Sequence, residues 1–163
     1  MAMGVALASV GGAALLDGEA SQRPAHAPAS TVLDRVATAA PAGKPFPTQT
    51  ETVLRVGSAR LRIVVADDAP ERAQGLRTRA DLGDYEGMLF VFDAPTTSAF
   101  TMSTVPVELD IGFYDDDGRP VDRLRMEPCA GGEAECPIYR ASGLFRFALE
   151  TLASDLPRGR LAG

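Results

Sequence analysis

From residue 51 onward, short runs in which apolar and polar residues alternate recur along the chain, and this period of two constrains the fold more than any other feature. Leu61, Ile63 and Val65 alternate with Arg60, Arg62 and Val64, and Leu109, Ile111 and Phe113 alternate with Asp110, Gly112 and Tyr114. A third run alternates Phe145, Phe147 and Leu149 with Arg146, Ala148 and Glu150. In each, one face is expected to pack and the other to meet water. Leu54 and Val56 supply a partner strand through a turn at Gly57-Ser58, and Asp117-Gly118 signals a hairpin into Val121–Met126. The run that Gly87 opens is apolar through Phe92, as expected of a strand covered on both faces. The expectation is a mainly β fold, a small β-sandwich or partly open barrel of about seven or more short strands. One short helix interrupts it over about 69–75, with Asp68 as N-cap, Glu71 at the third helical position and Gly75 as terminator.

What precedes this region has a different character. Residues 1–16 carry no charge and are too few for the roughly 20 apolar residues that span a bilayer, so no stable membrane span is expected. The length suits the apolar part of an export signal, and Gly18-Glu19-Ala20 puts small residues where a signal peptidase reads, although no basic segment comes first. Residues 1–20 are therefore read as a signal peptide or its remnant, with a tail lacking any address as the other reading. Residues 21–50 are rich in Pro and Ala and are read as a disordered linker with at most a helical turn at Thr31–Thr38; residues 51–163 are read as the single β domain. The implied location is periplasmic or extracellular, with the cytoplasm left open.

Composition narrows the chemistry. Lys44 is the one lysine and His26, in the linker, the one histidine, so a Schiff-base lysine or an imidazole-based triad or zinc site has no residue to build on in the domain. The formal charge of -6 and the lack of a basic cluster argue against nucleic acid as a partner. Asp115-Asp116-Asp117-Gly118 fails the spacing of a calcium loop and is read as a solvated turn. No metal and no cofactor is expected. In an exported chain the only two cysteines, Cys129 and Cys136, are expected to join as a disulfide; a metal pair would need further ligands, and the spacing is not that of Cys-x-x-Cys oxidoreductases.

Glu71-Arg72, Gly75-Leu76, Gly87 to Phe92, Phe100, Met102, Thr104, Leu109-Asp110 and Phe113, followed by Cys129, Cys136, Tyr139 and Leu149-Glu150, occur in an order and spacing that resembles the bacterial and archaeal family called domain of unknown function 192. The resemblance covers about residues 51 to 152. It implies a mainly β, sandwich-like domain, often exported, with no demonstrated substrate. Two departures bear on function. Where the family has an aromatic followed by Met-Lys-Asn-Thr, this chain has Phe100-Thr101-Met102-Ser103-Thr104, so a ring and a positive charge are missing and any ligand should differ or bind more weakly. The short tail from Thr151 to Gly163 also leaves closure of the C-terminal sheet edge open.

The candidate ligand-binding residues are Arg72, Met102, Thr104 and Asp110. Strand alternation sets Asp110 beside Gly112, whose missing side chain leaves room for a pocket, and a carboxylate there either binds a polar ligand or pairs with Thr104 and nearby amides. Arg72 offers a planar fork to an anion or to an acid of the protein itself, and Met102 fits a core position as readily as a pocket wall. Asp68, Glu71, Gly75, Gly87 and Gly112 are assigned structural roles. Three functions follow: an exported module binding a small polar ligand or a cell-envelope glycan, a hydrolase or lyase using Asp110 and Glu71 as paired carboxylates on a saccharide, or a structural protein-interaction domain without a ligand. The first is preferred, and the balance leans against an enzyme while leaving that question open. Oligomeric state is not readable from the chain.

Overall fold

The structure, a computed structural model, describes residues 31–163. The expected signal at residues 1–20, His26 and the first part of the expected linker lie outside the described residues. The elements run α1 (Val32–Ala37), β1 (Ala40–Pro41), β2 (Thr50–Val56), β3 (Ala59–Ala66), α2 (Ala69–Gln74), β4 (Gly87–Thr96), β5 (Phe100–Thr101), β6 (Leu109–Tyr114), β7 (Pro120–Met126), β8 (Ile138–Tyr139), β9 (Phe145–Leu152) and β10 (Leu161–Ala162). The fold is mainly β, an open mixed sheet consistent with a small sandwich or partly open barrel.

Seven strands lie in the order β1-β2-β3-β4-β9-β6-β7, with β10 paired onto β2, while β5 and β8 form a separate two-stranded ribbon. Neighbours in the main sheet are antiparallel except β3 and β4, which run parallel in the register Ile63↔Gly87 to Ala66↔Phe90. A parallel pair needs a crossover rather than a tight turn. The segment from Asp67 to Glu86 provides it and carries α2. The hairpins form where the turn residues put them: Gly57 has φ 59° between β2 and β3, and Gly118 has φ 73° between β6 and β7. Both values lie in the left-handed region, which costs glycine little.

The sheet is covered on both faces. Val64, Met88, Phe90, Ile111, Phe113, Phe145 and Ala148 enter one core, together with Leu76 and Met102 from connecting segments. Ile63, Val65, Leu89, Tyr114, Phe147 and Leu149 enter the other, against Val32 of α1 and Leu156 and Leu161 of the tail. The period of two was read correctly, but its polar members do not all reach water, because each of the four strands β3, β4, β6 and β9 has cover on either side.

One feature departs from the expected organisation and a second settles a point that the sequence left open. Part of the expected linker packs into the domain. Val32 is the buried residue of α1, whose capping box pairs Thr31 with Asp34, and Phe46 is fully buried with its ring edge-on to Tyr85 at 5.7 Å. The Tyr85 hydroxyl accepts a hydrogen bond from the Gly43 amide at 2.7 Å and donates to Glu51, which also receives the Arg62 guanidinium. A segment with few large apolar side chains is ordered here because each of those it has fills a gap in a core that other strands build. The C-terminal edge is also closed: Leu161 pairs with Val56 and is buried, and its amide donates to the Gly118 carbonyl at 2.8 Å.

Candidate functional site

Because α2 ends at Gly75, with φ 45° and the Phe90 ring close behind it, the chain turns back over the sheet and leaves a cleft between the helix and the β5–β8 ribbon. The cleft encloses about 400 Å³ and is walled by Phe90, Phe92 and Phe100, with Arg72 and Arg77 on the helix side and Ile138 on the ribbon side. Asp68 caps α2 by accepting from the Glu71 amide, as the sequence predicted, while the Glu71 carboxylate accepts from the Asp67 amide, one residue before the cap. Burial raises the pKa of Glu71 above its ordinary value. Arg72 sends Nη1 to the backbone carbonyls of Asp67 and Val91 and lies over the Phe92 ring at 5.1 Å.

The ribbon wall is held from behind. Phe100 pairs with Tyr139, and its ring meets Phe90 and Phe113 edge-on at 5.2 and 5.6 Å. Cys129 and Cys136 form the expected disulfide and close the loop leading into β8. From that loop Glu133 pairs with Arg77, whose remaining nitrogens donate to the carbonyls of Ala73 and Ser103.

At the floor lies Glu150. Its neighbours across the ladders are Met88 on β4 and Ile111 on β6, both fully buried, so its side chain rises from an apolar surface into the cleft. It is 5% exposed, and among the described residues no hydrogen bond or ion pair reaches its carboxyl group. Burial pushes its pKa up to about 8, so near neutrality most molecules carry the uncharged acid. Gly87 is required beside it, since a β-carbon there would come within 2.5 Å of the Glu150 carbonyl oxygen.

The four sequence-derived ligand candidates do not converge. Arg72 lines the cleft. Met102 is fully packed in the core beneath it, and Thr104 is exposed, its backbone bonded to Cys129 and Thr78. Asp110 lies on the opposite face of the sheet, where Arg125 Nε reaches it at 2.7 Å, Arg123 Nη2 at 2.9 Å and the Ser154 amide at 3.0 Å. Burial alone would raise its pKa, but these three donors together hold it below the usual carboxylate range. A cavity of about 250 Å³ does open beside Gly112, lined also by Tyr114, Arg123 and Leu156, but Asp110 is not among its lining residues, and a β-carbon at Gly112 would come within 2.8 Å of the Tyr114 hydroxyl. Asp110 thus has the structural role that was weighed against the ligand role, with arginines as its partners instead of Thr104. Glu71 and Asp110 do not face one another.

Glu150 is not among the sequence-derived site candidates because it alternates with Phe147 and Leu149 in company with Arg146, which reads as a solvent face. The usable signal was the strand beside it: β4 is apolar on both faces, so a partner strand in mid-sheet is covered on both faces as well. Among the described residues no three His, Cys, Asp or Glu side chains gather as a metal site, and no helix is long and apolar enough to cross a membrane.

Among solved structures the chain is similar to a protein of unknown function from Novosphingobium aromaticivorans DSM 12444, at 25% identity and a TM-score of 0.62, covering 78% of this chain and 96% of that one. It is also similar to a putative transcription regulator from Sinorhizobium meliloti 1021, at 25% identity and a TM-score of 0.57, covering 68% and 90% respectively. No curated protein matches it. Residues 52–158 match the family described as "Uncharacterized ACR", and with that span exceeding half its length the chain belongs to this family, DUF192.

Proposed function

We propose that the protein is an exported binding module that takes a small ligand in the cleft above Glu150. The observation carrying this reading is the carboxyl group itself. A nearly buried carboxyl group with no partner in the protein is costly to keep, and because its oxygens still reach the cleft a group entering there can bond to it. The rings of Phe90, Phe92 and Phe100 would pack against an apolar face of the ligand while Glu150 meets a polar group. The Cys129–Cys136 disulfide supports an oxidising compartment. Paired-carboxylate chemistry is less well supported, because Asp110 faces away and Glu133, the other acid lining the cleft, is held by Arg77.

The test is an amide-resolved NMR titration of the isotope-labelled protein with a fragment collection that includes saccharides, amines and carboxylic acids. Fragments that bind should shift Gly75, Phe90, Phe100 and Glu150 together and leave Asp110 and Ser154 unmoved. A collection that perturbs none of the cleft amides would overturn the reading.

A further inference from the structure

We infer that the ligand of this cleft is a small zwitterion, an amine-bearing carboxylic acid of amino-acid or dipeptide size, with its ammonium group on Glu150 and its carboxylate on Arg72. The inference rests on the binding-site reading above and adds the chemical class. It follows from asking which polar groups around the cleft already have partners.

Arg77 is fully engaged, with Nε on Ala73, Nη1 on Ser103 and Nη2 on Glu133, and that last contact also accounts for Glu133. Ser98 is bonded to Thr96. Two charged-type side chains remain. Glu150 has no partner among the described residues, and Arg72 binds only neutral backbone carbonyls through one of its three nitrogens, with no carboxylate in ion-pair range. An acid and a guanidinium therefore line one cleft without neutralising each other.

Ligands of other classes leave one of these groups unmet. A simple cation would satisfy Glu150 but face the positive Arg72, and a simple anion would do the reverse. A neutral saccharide can hydrogen-bond to both but gains nothing from the pairing of opposite charges. A zwitterion matches both ends: its carboxylate meets Arg72, and its ammonium favours the ionised form of Glu150, whose proton passes to solvent as the pair forms. The three phenylalanines suit the body of such a molecule and one end as well, because aromatic faces attract an ammonium group as they already attract Arg72 over Phe92. A volume of about 400 Å³ lies near the small end of ligand pockets, which fits an amino acid or dipeptide better than an oligosaccharide.

The experiment compares four kinds of probe on the full chain by NMR titration and calorimetry at neutral pH: L-amino acids and dipeptides tested singly, phenethylamine, 3-phenylpropionate and a methyl glucoside. At least one zwitterion is expected to bind in the cleft tenfold or more tightly than either singly charged probe. Glu150→Gln should weaken the zwitterion and phenethylamine but spare 3-phenylpropionate. Arg72→Gln should weaken the zwitterion and 3-phenylpropionate but spare phenethylamine, with Arg72→Met, which removes the charge and keeps apolar packing on Phe92, as the substitute if the glutamine variant does not fold. A glucoside or a singly charged probe that binds the cleft as well as every zwitterion overturns the zwitterion while leaving the binding site in place. Silence of the cleft amides toward all four overturns both.

Discussion

Asp110 and Glu150 lie one step apart in the β6–β9 ladder, where Asp110 faces Thr151 and Ile111 faces Glu150, and both side chains are almost completely buried. They point to opposite faces of one sheet and meet opposite conditions. Asp110 receives two guanidinium groups and an amide, whereas Glu150 receives nothing from the described residues. The first is held below its ordinary pKa and the second is pushed to about 8. Burial is common to both, so the presence of partners decides whether a buried acid is held ionised or held as the neutral acid.

The largest effect should come from breaking the braced side. Asp110→Ala is expected to destabilise the protein by about 3 kcal/mol in denaturant unfolding; it strips a buried acid from two arginines, and their partial exposure keeps the loss below the upper range for such pairs. The fold's dependence on this acid also fixes a sign. Because its folded pKa is depressed, its contribution is present above the unfolded pKa and is lost as pH falls through the folded one. Unfolding midpoints that do not drop on acidification in a way that Asp110→Asn removes would contradict the pairing.

Glu150 should behave in the opposite sense. With a folded pKa of about 8 against an ordinary value of 4.5, the native state holds a proton that the unfolded chain has released, so stability falls as pH rises from about 4.5 to about 8 and then levels off. Glu150→Gln removes this dependence, so its stability relative to the wild type should rise by at least about 2 kcal/mol between pH 4.5 and pH 8.5, while its buried amide sets a constant offset that does not change with pH. A constant difference between the two proteins across that range would mean that the carboxyl has found a partner.

The smallest effect refines the braced side. Arg123→Ala should cost only about 1 kcal/mol or less, since Arg123 is about one third exposed and Arg125 and the Ser154 amide still hold Asp110. A double-mutant cycle of Arg123 and Arg125 substitutions would measure whether the two act independently on the acid.

Much of the fold was legible because it depends on local chemistry: the hairpins at Gly57 and Gly118, the cap at Asp68, the disulfide, and the strands that alternate. The site was less legible because it depends on which strands become neighbours. Alternation tells which residues share a face but not whether that face is covered, so Asp110 and Glu150 looked alike as polar members of half-buried strands. Their difference arises from Arg123 and Arg125 on β7, and from the parallel β3–β4 crossover that sends α2 back over the floor of the cleft. Both are long-range pairings. Arg72 could be placed on α2 from the sequence because its neighbours already form the helix that positions it.

Phe46 lies ahead of the family-matched span, yet its ring is sealed inside the domain against Tyr85. A chain trimmed to residues 52–158 would lose this plug together with Glu51, exposing the flank of the Tyr85 ring and stripping its hydroxyl of both partners. The unit that folds is therefore larger than the span that the family match covers. Sequence kinship and physical autonomy end at different residues, and production of the isolated domain should begin no later than Thr31, where α1 is capped.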